Sequence, residues 1–152
     1  MSESKNRIGF SLNKVTTEQF AIIEEAFKDK ESVELNLGTS FAVNKEKQLI
    51  SNFFQVKFIQ KDVPFLILET GCHFQISPEA WNKFYEKDKN KITLPQGFAS
   101  HLVMLNVGTS RGILHCKTED TIFNQFMLPT INVNTLIDKD VVFELSEENQ
   151  EG

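Results

Sequence analysis

The sequence predicts an α+β fold, with a four-stranded antiparallel sheet laid down by the first half of the chain and helices after it. Two observations carry this. Before residue 77 apolar residues recur at every second position in four segments, the period of half-buried strands. After it the spacing turns to three and four, and a run of strands followed by a run of helices is the order of an α+β domain. At 152 residues the whole chain, 1–152, has the length of one domain. That length buries roughly 70 per cent of the unfolded surface without help from disulfides or metal.

In "RIGFSLNKV", Ile8, Phe10 and Leu12 alternate with polar neighbours and make the first strand. "TTEQFAIIEEAFKDK" changes period: Thr16 and Gln19 fit a capping box, and Phe20, Ile23 and Phe27 share a helical face. A short amphipathic helix is expected over about Thr17–Lys28. Val33, Leu35 and Leu37, then Phe54, Val56 and Phe58, alternate on either side of the turn "KEKQ" and should pair as an antiparallel hairpin. Lys61–Asp62 leads into a fourth strand that starts at Pro64, where a missing donor is tolerated, and weakens at Gly71. Ser77 as N-cap, Pro78 at the first position and Glu79 at the positive end make "SPEAWNKFYEKD" a short helix, with "KDKNK" a solvated loop. From Gly97 to about Lys117 the compact apolar "HLVMLNV" fits either helix or strand, and the spacing of Phe98, Leu102 and Leu105 favours helix. An irregular corner at Pro129 and an apolar run follow; about 1–6 and the acidic stretch about 145–152 are expected to be mobile.

The net charge is −5 and no basic cluster occurs, so nucleic acid and anionic membranes are excluded as partners. With no signal-like start and no apolar stretch near the ~20 residues that span a bilayer, the protein is expected in the cytoplasm. Cys72 and Cys116 then read as free thiols. The composition stands out in one respect, 14 Phe against one Tyr and one Trp. That surplus serves either a Phe-rich core or an exposed groove or interface.

"GTSRG" at Gly108–Gly112 matches G-x-S-x-G, the turn that presents a nucleophilic serine. A hydrolase built on Ser110 would need a strand before it and a histidine arriving from elsewhere, yet the one downstream histidine is His115. Read structurally, Gly108 and Gly112 leave a flat strip on a helix where another backbone can approach, with Arg111 at its rim. Cys72–His73 and His115–Cys116 offer zinc-ligand types, but neighbours on a strand face opposite ways and no C-x₂-C corner occurs. Glu24–Glu25, Glu69 and Glu119–Asp120 are scattered, so no catalytic residue, metal or cofactor is expected.

Taken in order, "FSLNKV", "SVELNL…FFQVKFIQ", "FLILETGCHFQI", "HLVMLNVGTSRG" and "MLPTINVNTLI" resemble the bacterial export chaperone family SecB, over about Arg7 to Ile137. The resembling details are Gly71, Phe74 and Ile76 at the end of the fourth strand, Ser110-Arg111-Gly112, and Pro129–Asn132. The resemblance implies an α+β fold whose four-stranded antiparallel sheet carries a long helix packed on one face, in a homotetramer built as a dimer of dimers. It also implies an ATP-independent holdase that binds unfolded polypeptide, with the translocation motor SecA as a further candidate partner. The acid that family members use for SecA falls here on Ile67 or Leu68, and "ITLPQGFASHLVML" replaces the family's stretch leading into the long helix. Candidate client-binding residues are Phe53, Phe54, Trp81, Phe84, Tyr85, Phe123, Phe126 and Met127, each with core packing as the competing role. Leu102, Leu105, Gly108, Arg111 and Gly112 are the expected oligomer-forming positions. The alternative is a SecB-fold adaptor or solitary chaperone dedicated to one partner, such as a toxin–antitoxin system.

Overall fold

Strands β1 (Phe10–Ile22), β2 (Glu34–Asn44), β3 (Leu49–Gln60) and β4 (Val63–Ile76) form one antiparallel sheet in the order β1–β4–β3–β2 in the computed structural model, which describes residues 8–145. β2, β3 and β4 are a meander. β1 reaches the far side of β4 because the connection 23–33 crosses the end of the β3–β4 hairpin. The hairpin closes on Lys61 and Asp62, both left-handed (φ 47° and 67°), the two-residue turn whose twist matches the strands.

The helix expected over Thr17–Lys28 is not formed: the chain continues as β1 to Ile22 and makes a single 3₁₀ turn at Glu24–Ala26. β4 is long enough to offer partners from Ile76 to Leu66, and pairing with them satisfies the backbone groups of β1 that face β4, leaving β1 an edge strand. Two register shifts, between Leu12 and Lys14 and between Thr17 and Gln19, keep Phe10, Leu12, Val15, Thr17, Phe20 and Ile22 on one face.

α1 (Pro78–Phe84) begins as expected, with Ser77 Oγ accepting the Ala80 N–H at 3.2 Å and Pro78 in the first turn. It stops at Phe84 because Tyr85–Glu86 (β5) pairs with Lys91–Leu94 (β6). Val141–Glu144 (β7) adds to β6, completing a second, three-stranded sheet that the sequence reading did not anticipate. Leu145 is buried and its N–H donates to Asn90 O at 2.9 Å, so the expected mobile tail does not begin there. The remaining positions expected to be mobile, 1–6 and 146–152, lie outside the described residues.

α2 (Gln96–Thr118) is the long helix, and it lies across β3 and β4. Phe98, Leu102, Asn106, Ser110, Leu114 and Thr118 recur every four residues and are all buried. The middle of that stripe is polar. Asn106 Nδ2 donates to Asn52 O (2.9 Å), Asn52 Oδ1 (3.0 Å) and Thr70 O (3.0 Å), and Ser110 Oγ donates to Asn106 Oδ1 at 3.1 Å. In a dry interior these bonds are lost if the helix turns or slides, so they fix which face of α2 looks outward. Near its N-terminus, Phe10 and Phe84 each pack on Phe98 at 5.3 Å between ring centres. Trp81 beside them is buried.

Candidate binding groove

A second aromatic cluster stands near the β3–β4 turn, and this one is open. Its base is Phe58 of β3 and Phe65 of β4, both buried beneath the opening. One wall is Phe27, carried by the 23–33 connection, with ring centres 4.9 Å from Phe65 and 5.3 Å from Phe123. The other wall comes from the segment after α2. Asp120 adopts φ 64°, the left-handed residue that ends a helix, and Thr121 caps the next turn by accepting the Phe123 N–H at 3.1 Å. That turn, Ile122–Gln125, delivers Phe123, and Phe126 follows at 5.1 Å from Phe65 and 5.6 Å from Phe58. Arg111 then ties the segment back to α2, donating from Nε to Leu128 O (2.9 Å) and from Nη2 to Pro129 O (2.8 Å).

The result is a groove of about 730 Å³ between the two walls. Ile122 stands 63% exposed at its side and Met127, further along, 57%. Glu24, Asp29 and Asp120 also line it, with no cation among the described lining residues. An acidic rim beside Phe27, Ile122 and Phe123 attracts positive charge over the groove.

Of the eight candidate residues, Phe123 lines the groove, Phe126 packs in the ring cluster that supports it, and Met127 follows as an exposed side chain. Phe54 is fully buried on the inner face of β3, and Trp81 and Phe84 belong to the closed cluster. Tyr85 is half-buried, its hydroxyl donating to Asn90 Oδ1 at 3.0 Å. Phe53 lies on the opposite face of the sheet, its ring 5.9 Å from that of His73. Phe27 and Ile122, which line the groove, and Phe58 and Phe65, buried beneath it, were not among the candidates. Phe27 falls in the segment expected to be helical, which forms no helix there, whereas Phe123 and Phe126 are candidates by their place in the link after α2.

The outward side of α2 carries Met104 (54% exposed), Leu105, Gly108 and Gly112, and a Cβ at either glycine would meet nothing within 4 Å. Leu102 points the other way, into the core, and Arg111 is occupied by the return segment. Ser110 sits inside the helix, buried, its hydroxyl spent on Asn106, so "GTSRG" is a helical segment and not a strand-to-helix turn. Cys72 faces inward, where burial raises its thiol pKa against the opposing effect of a Thr109 hydrogen bond. His73 faces the other way, between Thr16 Oγ1 (2.9 Å) and Ser51 Oγ (2.7 Å).

No protein-family model matches the sequence, and no curated protein matches it. A solved structure does match: the Mycobacterium tuberculosis Rv1957 SecB-like chaperone in complex with a ChAD peptide from the Rv1956 HigA1 antitoxin. It aligns with a TM-score of 0.51 over 86% of this chain and 95% of that chain, at 12% identity. The fold is SecB-like.

The expected α+β architecture, four antiparallel strands with a long helix packed on them, is therefore borne out. Within the SecB-like frame Ile67 and Leu68 are both buried, so no carboxylate stands at those two positions of β4. Among the described residues no helix is long and apolar enough to cross a membrane.

Proposed function

We propose that the protein is a cytoplasmic, ATP-independent holdase that binds extended apolar segments of non-native polypeptides in the groove beside Phe27. The carrying observation is a groove lined by Phe27, Ile122 and Phe123 with an acidic rim, in a fold shared with a chaperone solved with a peptide bound. Each large client side chain buried there contributes ~1.5–3 kcal/mol. Ring faces and the flexible Met127 impose little on client sequence, which suits a promiscuous site. Glu24, Asp29 and Asp120 favour segments with Lys or Arg beside the apolar residues.

The outward strip of α2 is proposed as the contact that builds a homotetramer, a dimer of dimers. In water a glycine inside a helix costs roughly 1 kcal/mol against alanine. Neither Gly108 nor Gly112 is required by any neighbour in its own chain, and the exposed Met104, Leu105, Leu12 and Val15 add apolar surface. Several grooves on one particle raise the effective concentration for a long client.

Diluting a chemically unfolded, unrelated protein with and without this one, no nucleotide present, tests the reading by light scattering. Suppressed aggregation at about one tetramer per client supports the holdase. The antitoxin peptide on the structural neighbour favours a second reading, a chaperone dedicated to one partner. That reading predicts no protection of unrelated clients and tight binding to a single polypeptide.

A further inference from the structure

We infer that Gln60 is a positioning residue of the groove: it never touches the client but holds the wall that carries Phe27. The inference rests on the groove being a peptide site. Gln60 ends β3 and is buried. Its side-chain amide pairs with one backbone residue in both directions, Oε1 accepting the Lys28 N–H at 2.9 Å and Nε2 donating to Lys28 O at 2.8 Å. A longer bond from Nε2 reaches Glu31 O at 3.4 Å. Lys28 directly follows Phe27, so this amide fixes the backbone at the wall itself.

Phe27 packs its ring on Phe65, Phe123 and Phe126, but the other polar holds on the backbone of the connection are few among the described residues. Ile23 N–H donates to Phe65 O at 2.8 Å, and the 3₁₀ turn closes on itself. The Lys61–Glu31 ion pair at 3.3 Å has its lysine in solvent, where such pairs contribute little. Between the two carbonyls that Gln60 grips, Lys30 adopts φ 70°, a conformation that a non-glycine residue keeps only when its surroundings impose it. Glutamine suits the role because it both accepts and donates. Methionine would match its length but leave the Lys28 N–H and carbonyl unpaired, and glutamate could accept but not donate.

The test is Gln60→Met with Phe27→Ala and the double variant, at a temperature where circular dichroism shows all of them folded. The probe is a fluorescein-labelled peptide of Leu, Phe and Lys, and the readout is its Kd. Gln60→Met should weaken binding about tenfold, the change that ~1.4 kcal/mol produces. The double variant should bind no more weakly than Phe27→Ala, because Gln60 acts through Phe27. Hydrogen exchange of amides 24–31 should quicken while β3 and β4 stay protected. An unchanged Kd, or additive losses, overturns the inference; a purely structural role would lower the melting temperature and leave the Kd alone. Where Gln60→Met does not fold, Gln60→Asn, which keeps donor and acceptor on a side chain one methylene too short to reach Lys28, takes its place and should weaken binding in the same direction. If the wild-type protein binds no peptide, the groove reading fails instead, and exchange over 24–31 still decides whether Gln60 holds the wall.

Discussion

The groove beside Phe27 and the outward strip of α2 both leave apolar side chains in water, and they are built in opposite ways. The groove is concave, walled by rings that pack on one another, and edged with carboxylates. The strip is convex, flattened by Gly108 and Gly112, and its Met104 and Leu105 stand free. A concave aromatic surface can wrap a variable segment, whereas a flat one suits a surface of fixed complementary shape, such as a second helix. On the proposed function, that difference would separate a client site from a self-association site within one small domain.

Changes confined to one surface should leave the other intact, which gives a graded set of tests. The largest effect is expected from Phe65→Ala, because the base of the groove is also core. Urea unfolding should show a loss of roughly 3–5 kcal/mol. A loss under about 1 kcal/mol would detach the groove from the core and break the comparison at its base.

Gly112→Leu comes next. A bulky side chain on the flat strip should reduce the particle mass seen by light scattering, while helix propensity favours the isolated subunit by ~0.8 kcal/mol. Peptide affinity per chain should not change; a particle of unaltered mass would remove the strip from the assembly.

Ile122→Ser with Met127→Ser sharpens the opposite side. Both residues are exposed, so stability should move by no more than about 0.5 kcal/mol per site, while peptide affinity should fall about tenfold. Unaltered affinity here would shift the client elsewhere. The smallest effect belongs to Asp120→Asn, chosen because asparagine tolerates the left-handed backbone. Affinity for a lysine-bearing peptide should fall about two- to threefold at low salt and not at ~1 M salt, where charges beyond ~3 Å are screened. A neutral peptide should bind both forms alike.

Much of this was legible before any coordinates. The hairpin of β2 and β3, the Lys61–Asp62 turn, the Ser77 cap and α2 follow from local periodicity and turn chemistry. β1 departs from the expected pattern for a physical reason: its two register shifts space the residues on the α2 side of the sheet, Phe10, Leu12, Val15, Thr17, Phe20 and Ile22, by two and three alternately. That rhythm lies near a helical one, and only a partner strand distinguishes them. β7 pairs with β6 from nearly fifty residues away in sequence, a contact that local pattern cannot announce. The groove was half visible. Phe123, Phe126 and Met127 were named, but their partners Phe27, Phe58 and Phe65 come from three elements that meet only after folding. Gln60 carried no signal, since a polar residue ending a strand reads as solvent-facing.

Photo-crosslinking from two positions tests the central claim most directly. A benzophenone side chain is placed at Ile122 in one variant and at Leu105 in another, and each is irradiated with an unfolded client present. The account predicts client adducts from position 122 and adducts to a second copy of the chain from position 105. Client adducts from 105, or none from 122, would contradict it.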